Sequence, residues 1–177
     1  MNAPAAKLLV FAGNEFIAIR IIGRANLNST VDFRTLVNEL AQKGYRYFIL
    51  DLSECILMDS SFLGVLAGFG LKMSGDSVEK CRGTIELSNP NPRILELIEN
   101  LGVLHLFTVT QGPLSVPEGT QSHTVAPCEV NRIEIATACK EAHDLLMELN
   151  PENVSRFKDV SQFMAEEIKK LKGPAER

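Results

Sequence analysis

The sequence predicts an α/β fold, a mixed β-sheet packed with α-helices in the order ββαβαβαβ, followed by a C-terminal helical hairpin. Three observations carry this. Short apolar runs rich in aromatic and β-branched residues alternate, up to about residue 110, with stretches whose apolar side chains recur every 3.6 residues. At the centre, the strand-like run Tyr47-Phe48-Ile49-Leu50 leads through Asp51 to residues 62–71, which carry no charge and sit behind Asp59-Ser60-Ser61. Residues 113–128 then lose all periodicity, and two amphipathic stripes follow. The expected divisions are an α/β domain over 1–112, a linker over 113–128 and a helical hairpin over 129–177.

Taken in order, residues 7–12 and 15–23 read as two strands joined at Gly13-Asn14, a pair suited to a tight hairpin. Ser29 or Thr30 is the expected cap of a first helix, whose Phe33, Leu36, Val37, Leu40 and Ala41 share one face, and Gly44 follows its end. Residues 47–52 form the next strand, which the crossover makes parallel to the second. A short loop leads to the central helix, for which Asp59, Ser60 and Ser61 are three good N-cap residues in a row. Its apolar residues leave no polar face, so it is expected to be buried nearly all round. Within it, Gly64 and Gly68 have the spacing that allows close packing of a helix on a sheet.

Residues 74–83 are polar, 84–87 form a short strand, and Ser88-Asn89-Pro90-Asn91-Pro92 begins a third helix with Ile94, Leu97, Ile98 and Leu101 on one face. Gly102 ends that helix, and residues 104–109 form the last strand of the domain. In the hairpin, Ile135, Cys139, Ala142, Leu146 and Leu149 make one stripe, and Val154, Phe157, Val160, Met164, Ile168 and Leu171 make another. The hairpin is too small to stand alone. Its apolar faces require docking on the sheet domain, on a second copy in a homodimer, or on a partner.

Composition excludes several classes. A net charge of −4, with no basic cluster longer than Lys169-Lys170, argues against nucleic-acid binding. No apolar run approaches the roughly 18 residues of a membrane span, and the first residues make no signal sequence, so a cytoplasmic protein with no membrane partner is expected. Cys55, Cys81, Cys128 and Cys139 form no Cys-x-x-Cys pair, and His105, His123 and His143 are scattered. No metal, no cofactor and no catalytic residue is expected from them. The strand ending at Asp51 also lacks the second acid of dehalogenase-like phosphotransferases and the acidic pair of receiver domains. Nor does Met58-Asp59-Ser60-Ser61-Phe62 have the glycines of a hydrolase nucleophile elbow. What remains is a helix N-terminus carrying serines beside an acid, at the rim of a sheet.

Phe48-Ile49-Leu50-Asp51-Leu52-Ser53 followed by Met58-Asp59-Ser60-Ser61, Leu63-Gly64-Val65 resembles the signature of the STAS domain, the family of bacterial anti-sigma factor antagonists and sulfate-transporter tails. Gly23 and Leu101-Gly102-Val103 extend the likeness, which covers about residues 7–110. The resemblance implies a non-enzymatic, partner-switching regulator of transcription. It would bind a serine kinase that is itself an anti-sigma factor, leave it on phosphorylation at Ser60, and be restored by a PP2C-type phosphatase. The partner-binding face implied is Asp59, Ser61, Phe62 and Leu63 with Arg24 and Asn26. Phe62 stands where the family usually has glycine, and Asn26 where it has an acid.

Two other readings compete. In one, the protein is a scaffold or regulatory subunit of another signalling complex and binds mainly through the C-terminal helices. In the other, Ser60 is an enzyme nucleophile, although no residue near it in sequence is an obvious base.

Overall fold

The computed structural model describes residues 4–75, 82–117 and 120–173. Strands β1 (Lys7–Ala12) and β2 (Phe16–Ala25) form the expected hairpin. Helix α1 (Leu27–Gln42) leads to β3 (Tyr47–Asp51), which pairs parallel with β2, as the crossover requires. Then come β4 (Cys55–Met58), α2 (Ser60–Ser74), β5 (Thr84–Ser88), α3 (Pro92–Asn100), β6 (Thr108–Thr110), β7 (Ser122–Thr124), α4 (Arg132–Leu149) and α5 (Val154–Lys172). The main sheet runs β6-β5-β3-β2-β1-β7, parallel from β2 to β6 and antiparallel at β1 and β7. The polar stretch expected over 74–83 lies mostly outside the described residues, Cys81 with it.

Several local expectations are corrected. The loop before the central helix contains β4, whose four residues are too few to show an alternation. It pairs with the end of β2, where Gly23 (φ +94°) and a shift of register let one long strand serve β3 along its first half and β4 beyond. Asn26, not Ser29 or Thr30, is the residue before α1; both hydroxyls are buried inside the helix, where Thr30 donates to the Leu27 carbonyl. Residues 104–106 form a single 3₁₀ turn, and the last domain strand starts only at Thr108. The stretch read as linker includes β7, which pairs with β1 at Leu9, Val10 and Phe11.

The core explains the order of layers. Ile17, Ile19, Phe48, Leu50, Ile85 and Leu87 project from the strands into a cluster with Phe33 and Val37 of α1 and Phe62, Leu63 and Leu66 of α2. Phe62 packs on Phe33 with ring centroids 4.7 Å apart, and Phe69 meets Phe48 edge-on at 4.9 Å. Helix α2 is buried on nearly every side because α4 lies against its outer face and α5 packs on α4 in turn. The hairpin therefore docks on its own sheet domain. Gly64 and Gly68 of α2 serve that contact and not a helix-on-sheet approach: a Cβ on Gly64 would stand 2.6 Å from both the Cβ and the carbonyl oxygen of Ala142, and one on Gly68 would stand 3.2 Å from Leu145.

Candidate functional site: the N-terminus of the central helix

Asp59 builds the site. Its carboxylate caps α2 by accepting from the Phe62 N–H (2.9 Å) and accepts from the Leu27 N–H at the start of α1 (2.9 Å), while its own N–H donates to the Ala25 carbonyl at the end of β2 (2.9 Å). One residue thus joins β2, α1 and α2. Burial raises the Asp59 carboxyl above the ordinary carboxylate range, against the lowering effect of its backbone donors. At the end of β3, burial acts on Asp51 in the same sense but is outweighed by hydrogen bonds from Ser53 and from the Arg20 guanidinium (2.7 Å), so Asp51 is held low.

Ser60 is the first residue of α2 and is half-buried. Its Oγ lies 2.8 Å from Nε2 of His143 on α4. The tautomer follows from the other ring nitrogen: Nδ1 is 2.8 Å from the Cys139 carbonyl, which only accepts, so Nδ1 carries the proton. Burial holds the imidazole below its ordinary pKa and therefore neutral, despite the opposing pull of the Cys139 carbonyl, Asp59 and Asp144. Nε2 is then bare, and the Ser60 hydroxyl donates to it. The ring is covered from the other side by Phe157 of α5, at a centroid distance of 4.8 Å. Next to it, Ser61 Oγ and Cys139 Sγ lie 3.6 Å apart, with burial raising the thiol pKa.

The residues expected at the partner face separate into two groups. Asp59, Ser60, Asn26 and Arg24 come together at the junction of β2, α1 and α2, with Arg24 exposed and Asn26 half-buried. Ser61 is 6% exposed, and Phe62 and Leu63 are wholly enclosed, so in this conformation they support the face from beneath and present no surface to a partner. Ile56, 61% exposed at the bulge of β4, lies beside Arg24 and is the accessible apolar side chain there. His143 was absent from the expected site. It lies 83 residues from Ser60, and the sequence marks it only by its place on α4, next to Ala142 and one turn after Cys139.

Among the described residues, no group of three His, Cys, Asp or Glu side chains is placed to hold a metal ion, and no helix is long and apolar enough to cross a membrane. Of the cysteines, Cys55 and Cys139 are buried as apolar fillers would be, but Cys128 is exposed.

The family model of the STAS domain matches residues 12–114, more than half of the chain. The chain belongs to the STAS domain family. Among solved structures, this STAS protein is similar to the Bacillus cell fate determinant SpoIIAA in its phosphorylated form (19% identity, 61% of this chain and 92% of that one, TM-score 0.50). It is similar also to an anti-sigma factor antagonist from Mycobacterium paratuberculosis (16% identity, 62% and 89%, TM-score 0.50). At such identities the likeness concerns the fold. No curated protein matches. The STAS match ends before α4, so His143 and the helix covering Ser60 lie outside the family's domain.

Proposed function

We propose that this STAS protein is an anti-sigma factor antagonist, a non-enzymatic switch that binds a serine kinase/anti-sigma factor while unphosphorylated and leaves it when Ser60 is phosphorylated. The observation that carries the reading is the position of Ser60: a hydroxyl on the first residue of a helix, fixed by the Asp59 cap at the edge of a STAS sheet. A phosphate there adds nearly two negative charges, and the helix N-terminus returns about 0.3–1 kcal/mol, so the domain tolerates the modification. In an interface the same charge must be desolvated, and every 1.4 kcal/mol lost is tenfold in affinity. The similarity to a structure described as an anti-sigma factor antagonist, and to one described as a phosphorylated cell fate determinant, supports the same reading. On it, the protein works in the cytoplasm, and a PP2C-type phosphatase reverses the change.

The test is phosphosite mapping on protein recovered from its native cells, with and without stress, paired with capture of the kinase by wild type and by Ser60→Asp. Condition-dependent phosphate on Ser60 and at least tenfold weaker capture by the variant are expected. Ser60 recovered unmodified in all conditions, or equal capture, would refute the switch.

The Ser60–His143 pair also has the form of a nucleophile and base, with the Cys139 carbonyl orienting the ring. The imidazole is buried with the Phe157 ring packed on it, an apolar enclosure in place of a polar substrate cleft, which favours the non-enzymatic reading. No labelling of Ser60 by a fluorophosphonate is expected.

A further inference from the structure

We infer that the α4–α5 hairpin is a lid over Ser60, and that docking of the hairpin and phosphorylation of Ser60 exclude one another. The inference rests on the reading of Ser60 as the modified residue. Phosphorylation transfers the terminal phosphoryl group of a nucleoside triphosphate. The Oγ–P bond forms, the bond to the departing diphosphate breaks, and the hydroxyl proton passes to a base on the kinase. In the docked state that proton is given to Nε2 of His143, 2.8 Å away, and the imidazole occupies the volume that the phosphoryl group needs. Ser60 is half-buried, and the side of its hydroxyl that faces α4 opens to attack only when α4 moves. Once phosphorylated, Ser60 no longer has a proton to donate to Nε2, and its phosphoryl group, beside the Asp59 carboxylate, competes for the space that the docked ring fills. Redocking is blocked.

The contact is also built to open. Beside Ser60 and Gly64 the face of α4 against α2 is made of small side chains, Cys139 and Ala142, with Leu145 and Leu146 packing further along, and its ion pair across to α1, Arg34 to Glu141 at 2.7 Å, is exposed to solvent and therefore weak. A cavity of about 280 Å³ lies along the same seam, between Val37, Val65 and Phe69 on one side and Ala138 and Leu145 on the other, so packing there is incomplete. Residues 125–131, which join the hairpin to the sheet domain, form neither helix nor strand. Near Ser60 the lid is thus held by a specific polar contact at the functional hydroxyl and by small apolar side chains, while buried Leu146 and the hydrogen bond from Asn153 to the Leu101 carbonyl anchor its far end. By reciprocity, whatever shifts the hairpin towards release favours the phosphorylated form at equilibrium, and modification shifts the hairpin towards release by the same factor.

The test uses the full chain with Cys81→Ser and Cys128→Ser and follows alkylation of Cys139 by iodoacetamide; Cys139 is 3% exposed, between α2 and α4. Phosphoserine is installed at position 60 during translation. Gly64→Ala serves as a wedge, because its Cβ would meet the Ala142 backbone. Hydrogen exchange of β3 and β5 monitors the sheet. At least tenfold faster labelling with phosphoserine, with the sheet still protected, is expected, and faster labelling of the wedge variant shows release without modification. Unchanged labelling with phosphoserine overturns the lid, whatever the wedge does, and so does exchange that rises throughout the sheet. Since no kinase is involved, the outcome is independent of whether cells modify Ser60, which the mapping above decides.

Discussion

Asp59 and His143 divide the work of the site between a group the sequence reveals and one it hides. Asp59 was legible because a cap acts over three residues, within one stretch of chain. Replacing it by alanine removes a helix cap and one further hydrogen bond, so Asp59→Ala is expected to lose about 2–3 kcal/mol in urea unfolding. Asp59→Asn keeps an uncharged acceptor in a setting that already disfavours the charged form, and is expected to lose clearly less. His143 could not be placed from sequence, because its partner comes from another element and only packing brings them together. Its lowered pKa has a definite sign. Below the ordinary histidine value of about 6.5, the undocked ring takes up a proton that the docked ring refuses, so stability is lost as pH falls and recovered as it rises. Urea midpoints between about pH 7.5 and 5.5 should show a dependence of up to about 1.4 kcal/mol per pH unit, which His143→Gln reduces. Ionisation of Asp59 acts in the opposite sense and from a lower pH, since its raised carboxyl favours the more acidic side.

At the level of elements, long periodic stretches were readable and short irregular ones were not. Helices α1, α3, α4 and α5 follow from apolar stripes, α2 from its uncharged run behind the Asp59 cap, and β2, β3 and β5 from buried apolar runs, while the cap of α1 lay three residues earlier than its hydroxyls suggest. Strands β4 and β7 went unread: the first has four residues and the second three, all of them exposed, and both exist through the partner strand they find. The docking of α4 had a trace in Gly64 and Gly68, but glycine spacing announces a close approach without naming what approaches. Asn153, wholly buried at the turn between α4 and α5, ties that turn to the end of α3 by donating to the Leu101 carbonyl (3.0 Å) and to the Leu146 carbonyl (2.8 Å). Asn153→Ala leaves both acceptors unsatisfied and is expected to lose about 1–3 kcal/mol, read as a lower midpoint in thermal or urea unfolding.

For the whole molecule, the sequence conveyed an α/β domain and an appended hairpin but not their relation, since apolar stripes state that a face must be covered and leave open by what. The relation gives an order of opening. Helices α4 and α5 form the outer layer and meet the sheet domain beside Ser60 through small side chains and an exposed ion pair, with Leu146 and Asn153 as anchors, whereas β3 is enclosed between β2 and β5. Amides of α4 and α5 should therefore exchange with deuterium at least tenfold faster than those of β3, and equal protection would mean that hairpin and sheet open as one unit. Strand β7 adds a kinetic consequence. Its pairing with β1 pins the chain to the sheet edge at Thr124, so a released hairpin is tethered by only a few residues beyond that point. Such a short tether holds the hairpin at an effective concentration on the order of millimolar, well above that of most regulatory proteins in a cell. A partner arriving from solution must outcompete that local copy, and diluting the protein will not loosen it.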